Sequence, residues 1–220
     1  MAGKQITEEE RSPLEPMVSG FYSICVWVYR FAYLNLLWVL FTLAGGIMLG
    51  FFPATSAMFS VERTWIRGEK DLPIHQLFWS AYKREFVRSN LLGYLLIFGG
   101  FLLVINYVIS ITIDGTIGDI LTWLLIGLLL VYAVILVYIF PVFVHYNVNY
   151  LAYIKHAFVI GISSPLMSLL IVVSFISYFY LVSVFPGILL LYTGSILSFL
   201  LMWFAYCRFV KIEETSVEKA

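Results

Sequence analysis

The chain alternates long apolar runs with short polar connections. The first run covers 31–52, where 22 residues pass without an Asp, Glu, Lys, Arg or His. A helix rises ~1.5 Å per residue, so this run reaches about 33 Å and can cross a hydrocarbon core of ~30 Å. Open sheets cannot cross lipid, because their edge N–H and C=O groups would have no partners. The pattern therefore predicts transmembrane helices rather than strands.

Four further runs of the same kind follow the first. Hydropathy predicts five transmembrane helices, at about 31–52, 91–113, 120–144, 165–185 and 188–207. Composition agrees, since 62% of the 220 residues are hydrophobic and only 12% are charged. A soluble domain of this size could not bury so much apolar surface in one core. We predict an all-α integral membrane protein that crosses the cell (plasma) membrane several times.

Lysine and arginine are unevenly distributed between the runs. The connection 53–90 carries six of them, whereas 114–119 carries two aspartates and no basic residue. Because positive charge marks the cytoplasmic side, we predict an N-out, C-in orientation with 53–90 inside.

The domain organisation follows from this orientation. We expect a disordered N-terminal tail over 1–16, a helical membrane domain over 17–208 and a C-terminal cytoplasmic tail over 209–220. The sequence leaves open whether 17–30 extends the first span or forms an interfacial helix.

The cytoplasmic segment 54–90 is predicted to contain two helices. Pro53 suits the first turn of one helix, Gly68 suits its left-handed C-terminal cap, and Pro73 opens the second helix. The second helix is amphipathic and basic, so it is either a membrane-surface helix or a docking face for a partner. The candidate residues for lipid or partner docking are Arg63, Arg67, Lys83, Arg84, Arg88 and Lys155.

Few residues in the chain suggest chemistry. The five predicted spans contain no ionisable Asp, Glu, Lys, Arg or His, which argues against a proton-coupled pump, and their asparagines, Asn35 and Asn106, are expected to bond between helices. No hydrolase, phosphate-loop or metal-ligand motif occurs around the three histidines or elsewhere. The net charge of zero gives no reason to expect a nucleic-acid partner. We expect no enzyme activity, no catalytic residue, no cofactor and no metal.

Four short motifs point to a family. They are Asn-Leu-Leu-Trp at 35–38, Phe-Pro-Ala-Thr at 52–55, Trp-x-Arg-Gly-Glu at 65–69 and Asn-Leu-Leu-Gly at 90–93. On these motifs the chain resembles the YesL family of bacterial membrane proteins, with the match best over about 20–95. The motif positions expected to be structural are Asn35, Trp38, Phe52, Pro53, Thr55, Trp65, Gly68, Asn90 and Gly93.

The resemblance implies a biological setting. Family members look associated with oligosaccharide uptake beside sugar ABC importers in Gram-positive bacteria, which implies an accessory subunit in contact with the permease subunits. The leading hypothesis is therefore a non-enzymatic accessory or scaffold subunit whose partners are the bilayer and such permeases. The alternatives are a stand-alone oligomeric transporter or channel for a small polar solute, and a membrane-organising protein that binds anionic lipid. A homo-oligomer is compatible with each of these hypotheses.

Overall fold

The computed structural model describes residues 14–163, 165–184 and 186–218. All regular secondary structure in these ranges is helical, as the sequence predicted. The seven helices found there are α1 Leu14–Ala44, α2 Met48–Ile66, α3 Ile74–Ser110, α4 Thr116–His145, α5 Tyr150–Ile162, α6 Pro165–Val184 and α7 Pro186–Glu218. Of the predicted N-terminal tail, 1–16, the first 13 positions lie outside the described residues.

The predicted first span, 31–52, is wrong at its C-terminal end. Helix α1 stops at Ala44, and α2 begins at Met48 after a tight turn. In that turn Gly46 and Ile47 both have positive φ, 69° and 64°, and a Cβ on Gly45 would lie 2.3 Å from the Gly50 Cα. Gly46 adopts its positive φ at low steric cost, whereas the β-branched Ile47 adopts a conformation that such residues rarely take. Neither residue carries a charge that would mark the break in the apolar run. Residues 17–30 belong to α1, so no break in the helix separates them from the predicted first span.

Pro53 lies inside α2 rather than in the first turn of a helix. A proline cannot donate to the carbonyl four residues earlier, which here is that of Leu49. The Asn90 amide takes the place of the missing donor, with Nδ2 2.9 Å from the Leu49 oxygen. The motif residues Pro53 and Asn90 therefore belong to one hydrogen-bonding arrangement between α2 and α3.

The other motif residues also hold helices together. Trp38 Nε1 donates to Thr55 Oγ1 at 3.1 Å and so links α1 to α2. The Phe52 ring fills the space that Gly93 leaves on α3, since a Cβ on that glycine would meet the ring at 2.4 Å. Trp65 is almost fully buried. The structural role of the motif positions stays a prediction.

The predicted basic helix and the second span form one continuous helix, α3. Gly68 has a φ of 93° just after α2, as its predicted capping role requires, and α3 starts directly after Pro73. The first part of α3 is amphipathic, with Phe78 buried and Lys83 exposed. The predicted boundary near residue 90 has no counterpart in the backbone, because an amphipathic helix can continue as an apolar one without a break.

The later helices agree closely with hydropathy. The predicted runs 120–144, 165–185 and 188–207 correspond to α4, α6 and α7. The short helix α5 lies between α4 and α6. Helix α7 continues to Glu218, so the predicted C-terminal tail, 209–220, is helical as far as that residue.

Four helices in the described part of the chain are long and apolar enough to cross a membrane. They are Tyr22–Ala44, Ile74–Ser110, Thr116–His145 and Gly194–Lys211. The chain is therefore an all-α protein of the multi-pass membrane type. The count of five spans and the N-out, C-in orientation stay predictions.

Two apolar clusters hold the helices together. One joins α1, α2 and α3 and includes Leu34, Met58, Trp65, Phe78 and Tyr82. The other joins α4, α5 and α7 and includes Tyr138, Val142, Tyr153, Met202 and Phe209. Helix α2 is the most enclosed element, with twelve of its 19 residues buried. The polar groups described next lie on its two sides.

Candidate functional site

A polar cleft of about 490 Å³ opens between α2, α3 and the end of α4. Its charged lining residues are Arg63 from α2 and Arg84, Glu85 and Arg88 from α3. Uncharged polar groups come from Ser56, Ser60, Tyr146 and Asn147, and the remaining lining residues are Phe143, Val144 and His145. We call this space the arginine cleft.

Hydrogen bonds to other elements hold two of the three arginines of the cleft, while Arg84 bonds to the neighbouring Glu85 on its own helix. Arg63 Nη1 donates to the Val144 carbonyl at 3.2 Å. Arg88 Nη2 donates to the Tyr153 hydroxyl at 2.9 Å and to Asn147 Oδ1 at 3.1 Å, which ties α3 to the α4–α5 connection. A guanidinium carries five N–H donors, so the two hydrogen bonds of Arg88 use only part of its capacity.

The cleft contains a single carboxylate among its lining residues. Glu85 lies 2.8 Å from Arg84 Nε and 3.7 Å from Arg88 Nη1. Three guanidinium groups against one carboxylate leave a surplus of two positive charges. The arrangement can therefore hold a small anion.

The structure brings together half of the predicted docking residues. Arg63, Arg84 and Arg88 line the arginine cleft, whereas the other three do not. Arg67 lies 3.9 Å from Glu69, and the Lys83 ammonium lies 4.7 Å from the centre of the Trp79 ring. The exposed Lys155 is on α5.

A second polar group lies on the other side of α2. Glu62 is 0% exposed, and its Oε1 lies 2.5 Å from the Ser198 hydroxyl on α7. Its Oε2 is buried without a hydrogen-bond partner among the described residues. Burial raises the pKa of the Glu62 carboxyl well above its usual range.

The interface around Glu62 contains further polar groups. Asn35 Oδ1 on α1 accepts a hydrogen bond from the Gly194 N–H on α7 at 3.0 Å, which is the interhelical role predicted for this residue. Ser195 Oγ is buried with no partner in the described part of the chain. Among all the residues that the structure describes, no group of three or more His, Cys, Asp or Glu could hold a metal ion.

Sequence reasoning missed Glu62 because it assigned 53–90 to the cytoplasm as one segment. A signal was present in the helical neighbours. The residue directly before Glu62 is the apolar Val61. Four residues before Glu62 lies Met58, and three residues after it lies Trp65, and both of these are apolar as well. Met58 and Trp65 share a helix face with Glu62, so the carboxylate lies within an apolar face of α2.

Comparison with known proteins identifies the family. The family model described as "Protein of unknown function, DUF624" matches residues 31–107. The chain is also 32% identical to the uncharacterized protein YesL of Bacillus subtilis (strain 168), over 91% of this chain and 95% of the relative. The chain belongs to the YesL family.

Two further YesL-family proteins of the same organism, YteU and YesV, are also named as uncharacterized. The chain is 34% identical to YteU, over 86% of this chain and 85% of YteU. It is 36% identical to YesV, over 90% of this chain and 95% of YesV. No solved structure matches the chain. The segment that matches the YesL-family model contains Glu62 and all three arginines of the cleft.

Proposed function

We propose that this YesL-family protein is a non-enzymatic accessory subunit that packs laterally against the membrane permease subunits of a carbohydrate (oligosaccharide) ABC importer. The observation that carries the proposal is a polar group on an exposed apolar helix. Asn106 is exposed on α3 among residues such as Leu102, Ile105 and Ile109, which are exposed as well.

The Asn106 amide is only partly engaged within its own helix. Its Nδ2 donates to the Leu102 carbonyl at 2.8 Å. A second N–H and the amide oxygen remain for another helix, and such side-chain bonds join helices in membranes. Gly99 lies seven residues earlier on the same face, and a Cβ there would meet no atom within 4 Å. A small residue next to an amide lets a partner helix approach closely.

The choice of partner has a separate basis. It comes from the resemblance to the YesL family, whose members look associated with sugar importers. The plasma membrane is the expected location because such importers work there. A lateral contact also suits a chain whose α3 has many large apolar side chains facing outward.

The test is co-purification from cells that produce the tagged chain together with the importer permeases. We expect the permeases to be retained by the wild-type chain and lost with Gly99→Leu or Asn106→Leu. Gly127→Leu on α4 is the matched control, because a Cβ at Gly127 also meets no atom within 4 Å. The proposal fails if no permease is retained and if deletion of the gene leaves oligosaccharide uptake intact.

The buried Glu62 favours a second candidate, a stand-alone oligomeric transporter or channel for a small polar solute. Ionisable groups enclosed by membrane-spanning helices often mark a transport pathway, and Glu62 contacts Ser198 within the candidate span of α7. Proteoliposomes that contain only this chain distinguish the two candidates. Solute flux that Glu62→Gln abolishes supports the second candidate, and its absence with intact permease binding supports the first.

A further inference from the structure

The arginine cleft has a feature that a general positive surface does not require. Ser56 lines the cleft, is only 1% exposed and has a hydroxyl with no hydrogen-bond partner among the described residues. Buried hydroxyl groups are normally paired. An unpaired donor beside a cavity indicates that something outside the chain completes the site.

The charged groups of the cleft indicate what that ligand is. The surplus of two positive charges matches the charge of a phosphate monoester. Guanidinium forks bind phosphate oxygens through paired N–H donors. Arg84 contacts Glu85 through Nε, so its two terminal nitrogens lie outside that contact.

The size of the cleft supports an organic ligand. Its volume of about 490 Å³ is within the range of about 300–1,000 Å³ that is usual for small-molecule sites. The space is therefore large enough for a phosphate together with the group that it esterifies.

We propose that the arginine cleft binds the phosphoryl group of a phosphate ester, with Arg84 and Arg88 contacting its oxygens and Ser56 donating a hydrogen bond. Arg63 contributes positive charge from α2, where its bond to the Val144 carbonyl holds it in place. The same phosphate monoester is available from the headgroup of phosphatidic acid and from a soluble phosphate ester. The cleft involves neither Gly99 nor Asn106, so this proposal and the proposed function can fail separately.

The experiment uses the full chain purified in a neutral detergent. One arm titrates glycerol 3-phosphate by calorimetry against sodium chloride of matched ionic strength. The other arm measures binding of phosphatidic acid, whose headgroup is a phosphate monoester, against phosphatidylcholine in mixed micelles of the same detergent. A response in the first arm identifies a soluble ester as a ligand, and a response in the second identifies the headgroup.

Three variants test whether the cleft is responsible. Arg84→Gln removes a charge-assisted contact, so we expect the dissociation constant to rise roughly tenfold or more. Ser56→Ala should weaken binding severalfold while the melting temperature without ligand stays unchanged or rises. Lys83→Gln is the matched control, because it removes the same charge at the adjacent exposed position outside the cleft.

Three results would overturn the proposal. The first is no binding above matched salt in the first arm and none above phosphatidylcholine in the second. The second is an equal loss with Lys83→Gln and Arg84→Gln, which indicates a diffuse surface field. The third is a dissociation constant that equals that of the wild type in each of the two variants Arg84→Gln and Ser56→Ala.

Discussion

The Ser198 hydroxyl lies 2.5 Å from Glu62 Oε1 and 2.7 Å from the Gly194 carbonyl oxygen. A hydroxyl has one hydrogen and can donate to only one of these acceptors. A protonated Glu62 that donates to Ser198, with Ser198 donating to Gly194, satisfies both short contacts. The geometry and the burial of Glu62 therefore both favour the neutral carboxylic acid.

We expect Glu62→Gln to preserve this arrangement, because a glutamine amide can donate to Ser198 as the acid does. A carboxyl pKa that is raised in the folded state gives stability that is complete below the unfolded value of about 4.3. That stability is lost as the pH rises towards the folded value. The wild-type melting temperature should therefore fall as the pH rises above about 4.3, and the Gln variant should show less of this decline.

Thermal unfolding in detergent across pH 4 to 9 measures this difference. Glu85→Gln is a control, because it removes a carboxyl group that is partly exposed and paired with arginine. If Glu62→Gln is less stable than the wild type at every pH, the Glu62 carboxyl is not neutral in the folded protein. The same conclusion follows if the melting temperature of Glu62→Gln depends on pH as that of the wild type does.

The sequence was a good guide wherever apolar length alone determines structure. The bounds of α4 and α6 and the start of α7 follow closely from hydropathy, and Gly68 was correctly predicted to end α2. The end of α7 does not, because this helix continues to Glu218, beyond the predicted limit at 207. The break after Ala44 was missed because both of its sides are apolar. It depends on the positive φ of Gly46 and Ile47 rather than on polarity.

The two polar sites were harder to predict because they join distant parts of the chain. Glu62 and Ser198 are 136 positions apart, and no local pattern places them together. The arginines of the cleft were recognised as basic residues, but their separation from Arg67 and Lys83 depends on the rotation of α2 and α3. That rotation is set by packing against α4 and α7.

The Pro53–Asn90 arrangement gives a prediction about coupling. Asn90→Ala removes the donor to the Leu49 carbonyl, and we expect it to cost about 1–2 kcal/mol of unfolding free energy. In a Pro53→Ala background the backbone N–H at position 53 can bond to that carbonyl. The cost of Asn90→Ala should then shrink, with a coupling of roughly 1 kcal/mol in a double-mutant cycle.

The measurement is urea unfolding of the four proteins of the cycle in mild detergent. Thr112→Ala combined with Pro53→Ala is the control, because the Thr112 hydroxyl bonds locally to Ile109 and the two effects should add. Additive effects of Pro53→Ala and Asn90→Ala would contradict the shared role of the Leu49 carbonyl.

Two glycines of α3 give the sharpest test of the packing. Gly93→Ala should lower the unfolding free energy by roughly 1–3 kcal/mol, because its Cβ would meet the Phe52 ring at 2.4 Å. That ring cannot move easily, since the Tyr94 and Phe140 rings contact it, with ring centres 5.6 and 6.4 Å from its own.

Gly99→Ala is the control in the same helix, where the new methyl group meets no atom within 4 Å. It should leave stability unchanged or raise it by up to about 1 kcal/mol, since alanine is the better helix former. Thermal unfolding of the isolated protein compares the two, and equal effects would show that the Phe52–Gly93 contact does not hold α2 against α3.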